Sequence, residues 1–469
     1  MLPNSFPFYY FLLLTLILYY VFPSRWRNTL LLIASVIFYA SVDWRFIGIL
    51  AWQIFLCYVL GLAIGKAKFP QHRKILLLVG TLLSVGLLGF HKYFNFLNDS
   101  LRHLCQGLGL LYLIPHLNIL LPLGISFFTF QSLGYLIDVY QHKIEPERDF
   151  LIFALFMGFF PQIASGPIGR APELLPQFRE KKDFLPVTFE SGLAQILWGL
   201  FKKVVIADRL AFYVDAVYGN VTYNGTPTLI LAACFFSIQI YCDFSGYSDI
   251  AIGTARLFGI ELRKNFDFPY FATSINDFWK RWHISLTSWF RDYLYISLGG
   301  NRCSKFRHCC NIMTVFLVSG LWHGANWTFI TWGGLHGLLQ LLENAIRGRK
   351  PLPYVYWLSK AVGGIFTFVL VSFCWIFFRA PNFSTAFLFI KGIFCWKGGL
   401  SFGISFNTFA INMLMLLIFG ILDVWYFMHW ANNSKETTKI WIRSLKYSFL
   451  ISLIAMFGQS SGGFIYQHF

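Results

Sequence analysis

The residues able to do chemistry gather in the middle of this sequence, and two histidines stand out among them. His323 lies in Gly320-Leu-Trp-His-Gly-Ala-Asn326, where an apolar run from Val315 meets a Gly/Asn break. A neutral imidazole near its own pKa can take or give a proton at physiological pH. Gly320 and Gly324 on either side permit close approach of backbone or ligand. His283 lies in Asp277-Phe-Trp-Lys-Arg-Trp-His-Ile-Ser-Leu286, where helical spacing puts Trp279, Trp282, Leu286, Trp289 and Tyr293 on one aromatic face. Lys280, Thr287, Ser288 and Arg291 occupy the other sides, so this helix belongs at an interface or re-enters the protein. His336, in Gly334-Leu-His-Gly337, has a weaker context and reads as structural.

Two further segments carry polar groups into apolar surroundings. Over Leu121–Tyr140, Gly124, Phe128, Gln131, Tyr135 and Asp138 fall on one helical stripe. Lipid cannot satisfy such a stripe, so it faces protein or a water-filled cavity. Taken alone it reads as glue between helices. Gln239, Asp243 and Tyr247 share a face in Gln239–Gly253, directly after the apolar run Thr228–Ile238. Carboxylates there are costly unless paired or solvated. The segment is either an internal polar lining or a span that ends near Tyr241.

The elements that must position these groups are membrane helices. Hydrophobic residues make up 57% and charged residues 13% of the 469, and the mean hydropathy is +0.58. A soluble domain carries about twice that charge fraction. Apolar runs such as Phe8–Phe22, Ile47–Ile64, Ile75–Phe90 and Asn412–Ile421 recur along the chain. The expected fold is all-α and polytopic, with roughly ten to twelve spans, some short or re-entrant. Phe8–Phe22 reads as the first span, because no basic n-region precedes it and no small-x-small site follows. Ser274-x-x-Asp277 has capping-box spacing, so a helix should begin near Ile275, and Gly299-Gly300-Asn301-Arg302 should end it.

The net charge of +17 excludes little by itself, but no basic run forms the patch a duplex requires, so nucleic acid is no partner. The positive-inside rule accounts for the charge. The nine cysteines read as core residues, and the group Cys303, His308, Cys309, Cys310 lacks zinc-ligand spacing, so no metal is expected. No internal repeat or second domain shows, which speaks against a transporter built from duplicated halves.

At these residues the sequence resembles the membrane-bound O-acyltransferase family. It is most similar to the alginate O-acetylation branch, whose members acetylate exported polysaccharides or peptidoglycan. The matching stretches are Leu123–Gln131 running to Tyr135–Tyr140, Ser165–Arg170, Tyr241–Asp249, Phe278–Leu286, Leu298–Arg302, Gly320–Gly324 and Phe378–Ser384, with the opening Asn4–Trp44. The resemblance covers nearly the whole chain. It implies a single membrane domain over 1–469, with its densest motifs in 121–342 and its helices around a central tunnel. One departure lies at the C-terminus, where the branch often closes with Phe-Ile-Tyr-Phe-Gln-Phe and this chain ends Phe464-Ile-Tyr-Gln-His-Phe469.

The resemblance makes His323 the family's essential histidine and His283 its second signature position. It implies acetyl-CoA as donor substrate, with no metal or tightly bound cofactor. The place is the bacterial inner membrane, the acceptor an exported glycan, and the partner an extracytoplasmic acetyltransferase. His323 would be the base and His283 an orienting group or oxyanion donor. Lys280, Arg281 and Arg291 are candidates for the CoA phosphates, with interfacial anchoring the competing reading. Gln131, Tyr135, Asp138, Asp243, Tyr247, Trp322 and Asn326 are candidates for the tunnel lining. The D-alanyl branch, which serves teichoic acids, shares both histidine motifs and remains the alternative.

Arg25, Lys66–Lys74 and Arg347–Lys350 each follow an apolar run, which places them in the cytoplasm and the N-terminus outside. Single cysteines introduced at these sites should react with an impermeant maleimide only after cells are permeabilised. Ready labelling of intact cells would reverse the topology.

Overall fold

Helices account for every regular element among the described residues, which in this computed structural model are 1–164, 166–346, 356–431 and 440–459. The basic cluster Arg347–Lys350, Ser165 and the closing segment Phe464–Phe469 lie outside them. The backbone requires this architecture. In hydrocarbon no water receives an N–H or C=O, so each spanning segment must satisfy its own hydrogen bonds. Five described helices are long and apolar enough to cross a membrane: Phe46–Lys66, Pro70–Gly107, Thr226–Leu257, Lys360–Arg379 and Phe406–Met428. Phe6–Val21, Phe150–Ile163 and Phe383–Phe394 are shorter apolar helices. The chain is a multi-pass membrane protein.

The chain divides into two compact units. The first comprises Met1–Leu193 with Ala251–Arg263, the second Ala194–Ile250 with Lys264–Phe469. In the first unit, Gln53 on the helix Phe46–Lys66 donates to Ser84 and Ser132 on two neighbouring helices, at 2.8 and 3.0 Å. The segment Ala251–Arg263 is tied to the helix Ala171–Arg179 by a two-pronged pair between Arg263 and Glu173. The hydrogen-bonded guanidinium holds Glu173 below the usual carboxylate range. This tie is therefore complete at neutral pH and weakens as pH falls through that lowered pKa.

The second unit contains both His283 and His323. Its centre is a helical hairpin, Lys305–His323 and Trp327–Ile346, joined at Gly324–Asn326. Asn326 makes the turn: its Oδ1 accepts from Thr328 N at 3.1 Å, and its Nδ2 donates to the Pro381 carbonyl at 2.9 Å. The two helices pack backbone against backbone. A Cβ on Gly320 would stand 2.3 Å from the Phe329 carbonyl oxygen, and one on Gly333 would stand 2.2 Å from that of Phe316. Small residues at these two points bring His323 close to the opposite helix.

The structure corrects one expectation. The helix does begin at Ile275, with Ser274 Oγ accepting from Asp277 N at 3.1 Å. It does not run on to the Gly-Gly turn. It stops at Arg281, restarts as Ile284–Trp289, and continues as a π-helical stretch over Phe290–Tyr295. The break is at His283, whose φ of 44° lies in the left-handed region. Helical periodicity on both sides of the break matches a single helix, which is why the interruption is invisible in the pattern.

The Gly333 contact yields a stability prediction. Gly333→Val forces the hairpin apart and should cost about 1–3 kcal/mol. Gly334→Ala is the control, since its Cβ meets only Leu317 Cδ2 at 3.5 Å. Thermal unfolding of the detergent-solubilised protein should show a lower midpoint for the first variant and little change for the second. Equal midpoints would remove the close crossing as a constraint.

Candidate active site

His283 and His323 come together. Their ring centroids are 6.2 Å apart, and both side chains are buried. His323 is the last residue of its helix, with its ring edge-on to Trp322 at 4.9 Å, Trp332 at 5.0 Å and Phe378 at 5.5 Å. His283 stands edge-on to Phe244 at 4.6 Å and meets Trp322 at 5.8 Å. Trp332 stacks on Trp375 at 5.3 Å. Two imidazoles are thus held in a box of aromatic rings, which fixes their orientation and excludes water.

His336 is also part of this neighbourhood. It lies four residues after Trp332 on the same helix and meets that ring at 5.1 Å and Trp279 at 5.0 Å. Trp332 therefore separates His336 from His323. The surroundings of His336 are aromatic, like those of His283 and His323.

The polar stretch after Ile238 is internal. Thr226–Leu257 is one helix of 32 residues, and Asp243, Tyr247 and Ser248 on it are buried. The helix runs on past Tyr241 without interruption. The carboxylates are paired: Lys203 Nζ lies 2.6 Å from Asp243 and 2.8 Å from Asp208, and Lys202 Nζ lies 2.6 Å from Asp249 and 2.8 Å from Ser245 Oγ. Adjacent residues on an α-helix point about 100° apart, so two neighbouring lysines would not ordinarily reach one helix. Here they sit on a π-helical stretch, Phe201–Ala207, whose wider turn re-aims them. The approach is close because Gly199 and Gly246 face each other; a Cβ on either would stand within 2.8 Å of the other's carbonyl oxygen.

Sequence reasoning missed Lys202 and Lys203. The usable signal was two charges inside the apolar stretch Trp198–Ala207, which lipid would not tolerate unpaired. It also missed Asn265, Ser285, Phe244 and Trp332, which build the surroundings of the histidines. No spacing pattern links these residues.

The other expected site residues are placed as follows. Trp322 is in the box, against both histidines. Asn326 is spent on the hairpin turn. Arg281 pairs with Asp277 at 2.9 Å and Arg291 with Asp292 at 2.8 Å, while Lys280 is exposed. Gln131, Tyr135 and Asp138 belong to the first unit, where all three are buried. There Gln131 donates to the Phe156 carbonyl at 2.5 Å, Tyr135 Oη accepts from Glu147 N at 3.0 Å, and Asp138 lies 3.6 Å from Lys143 Nζ. Among the described residues no group of three or more His, Cys, Asp or Glu is arranged to hold a metal.

Comparison with known proteins gives this geometry a context. The profile of the membrane-bound O-acyltransferase family matches residues 147–378, which include both histidines. A "Probable alginate O-acetylase" of Azotobacter vinelandii is 41% identical, over 88% of this chain and 83% of its own length. A peptidoglycan O-acetyltransferase of Helicobacter pylori is 32% identical, over 96% of this chain and 92% of its own. A teichoic acid D-alanyltransferase of Streptococcus thermophilus is 30% identical, over 54% of this chain and 67% of its own.

The lysine pairs carry a prediction of their own. Lys203→Met leaves Asp208 and Asp243 buried without their cation and should cost about 3–5 kcal/mol. Membrane abundance and the detergent melting midpoint should both fall. Adding Asp208→Asn and Asp243→Asn to the same protein should restore much of the loss. An unchanged midpoint for Lys203→Met would show that the buried charges are not coupled to stability.

Proposed function

The chain belongs to the membrane-bound O-acyltransferase family, and from that premise we propose that this acyltransferase moves acetyl from cytoplasmic acetyl-CoA to a hydroxyl of an exported polysaccharide or peptidoglycan. The observation that carries the reading is the pair of buried imidazoles, His283 and His323, brought from separate segments into one aromatic box. Centroids 6.2 Å apart keep the rings beyond direct hydrogen-bond reach while leaving them immediate neighbours.

The reaction proceeds as follows. His323 takes the proton of the acceptor hydroxyl as its oxygen attacks the thioester carbonyl, and a C–O bond forms. His283 donates a hydrogen bond to the developing oxyanion or holds His323 in place. The tetrahedral intermediate collapses with cleavage of the C–S bond. The CoA thiolate leaves and receives the proton from the His323 imidazolium. Atoms and charge balance, and a neutral, water-excluded imidazole suits the base.

The donor is made in the cytoplasm and the acceptor lies beyond the inner membrane, so a passage through the protein lets them meet. Trp322, Tyr247 and Asp243 are its proposed lining. Lys280 is the exposed cation nearest in sequence to the site, and Arg281 and Arg291 would have to exchange their carboxylates to meet the CoA phosphates. An extracytoplasmic acetyltransferase is the proposed receiver where the acceptor is a large glycan. The 30% identity to a D-alanyltransferase supports a second reading, transfer of D-alanine from a carrier. Purified protein supplied in parallel with acetyl-CoA and with a D-alanyl-charged carrier separates the two.

His323 decides the chemistry. His323→Ala should lower acetyl transfer about a hundredfold or more, the contribution of a positioned general base, with membrane abundance unchanged. His323→Gln keeps hydrogen bonding but cannot accept the alcohol's proton, so it should be equally inactive. His283→Ala should impair transfer strongly yet less completely. The measurement is envelope O-acetyl content set against protein level by blot. Normal acetylation at normal abundance in His323→Ala would end the assignment.

A further inference from the structure

His283 pays for its position with backbone strain. Its φ and ψ of 44° and 54° are left-handed, a conformation that strains a residue with a Cβ and is routine only for glycine, asparagine and aspartate. A histidine keeps such a conformation only where the surroundings over-determine it. The strain has a clear effect: it breaks the helix between Arg281 and Ile284 and turns the imidazole toward Phe244, Trp322 and His323.

What holds the break is one buried asparagine. The Asn265 carbonyl accepts from Ile284 N at 2.8 Å, on the residue directly after His283. Two residues further on, Asp267 N donates to the Arg281 carbonyl at 3.0 Å, so the strand of chain 265–267 lies alongside 281–284. The Asn265 side chain fixes this pairing from both ends. Its Oδ1 accepts from Ser285 Oγ at 2.6 Å, at the start of the restarted helix. Its Nδ2 donates to Ser248 Oγ at 3.1 Å, on the helix Thr226–Leu257 that also carries Phe244. Asn265, Ser285 and Ser248 are all buried. A polar network of this kind, shut away from water, is stiff when satisfied and costly when cut.

We propose that Asn265 is a positioning residue of the acyl-transfer site, clamping the left-handed turn that aims His283 at His323. Asn265 touches no reacting atom; it acts through His283. The inference rests on the functional reading above and extends it to a residue outside the two signature motifs. Removing the side chain leaves the backbone bond from Ile284 but cuts the bonds from Asn265 to Ser285 and Ser248. The turn can then relax toward ordinary helix, which swings the His283 Cβ and carries the imidazole away. A misplacement of about 1 Å is enough to cost on the order of a hundredfold in rate.

The test is a double-mutant cycle on the purified full-length protein, read as CoA release from acetyl-CoA by mass spectrometry. Asn265→Ala should lower kcat about ten- to a hundredfold with KM for acetyl-CoA nearly unchanged. It should add almost nothing to the defect of His283→Ala, because both act through one group. A purely structural asparagine would instead multiply the His283→Ala defect, and that result, or normal turnover in Asn265→Ala, overturns the proposal. If Asn265→Ala fails to accumulate, Ser285→Ala cuts the shorter of the two side-chain bonds with less disturbance. It should then give a smaller loss in kcat, again masked by His283→Ala. Failure of the wild-type protein to turn over acetyl-CoA would speak against the functional reading, whereas a turning-over wild type with an additive Asn265→Ala would sink this inference alone.

Discussion

Lys203 sits between Asp208 and Asp243 in a buried interior, and that pairing locks the helix Thr226–Leu257 in place within the second unit. The same helix carries Asp249, which holds Lys202. Between the two carboxylates lie Phe244 and Ser248, one helical turn apart and so on a common face. Phe244 is the ring against His283, and Ser248 anchors Asn265 behind it. One helix therefore uses its charged side to lock itself against the lysines and another side to locate a histidine. Sliding or rotating it would pull the buried charges of these ion pairs apart, which is costly in an apolar interior. The ionic contacts thus determine where the imidazole stands, although none of the charges in them touches it.

The glycines are the complement of this arrangement. Ion pairs of 2.6 Å between adjacent lysines and one helix need backbones nearly in contact, which Gly199 and Gly246 allow. The hairpin works in the same way: Gly320 and Gly333 remove the side chains that would otherwise separate His323 from Trp332. In membranes no hydrophobic force drives helices together, so close van der Waals packing and internal polar contacts must do so. Both devices occur here within the same unit.

Much of this was legible in the sequence. Apolar runs announced a membrane protein, Ser274 and Asp277 marked a helix start, and the glycine-flanked His323 and aromatic-flanked His283 stood out as two residues that the fold does bring together. The burial cost of Asp243 was also evident, but its partner lies 40 residues away and reaches it only through a π-helical stretch. Periodicity is blind to that. It was equally blind to the break at His283, because the bonds that impose it come from Asn265, outside the pattern. For Gln131, Tyr135 and Asp138 the difficulty is of another kind. A polar stripe on an apolar helix looks the same whether it lines a passage or ties helices together. In the first unit each has a partner of its own.

In the proposed mechanism the base must be neutral, correctly turned and dry, and these demands conflict with stability at different places. Dryness comes from aromatic walls, which also supply packing, so it costs little. Orientation of His323 comes at the end of a helix, where the rings of Trp322, Trp332 and Phe378 hold the side chain from three sides. Orientation of His283 is the expensive one. No regular element ends there by its own sequence, so the turn is made by forcing a histidine into a left-handed conformation. A glycine or asparagine would have adopted it more cheaply but would have supplied no imidazole. The strain is thus a consequence of needing that particular side chain at that particular bend, and the buried asparagine network is what makes it tolerable.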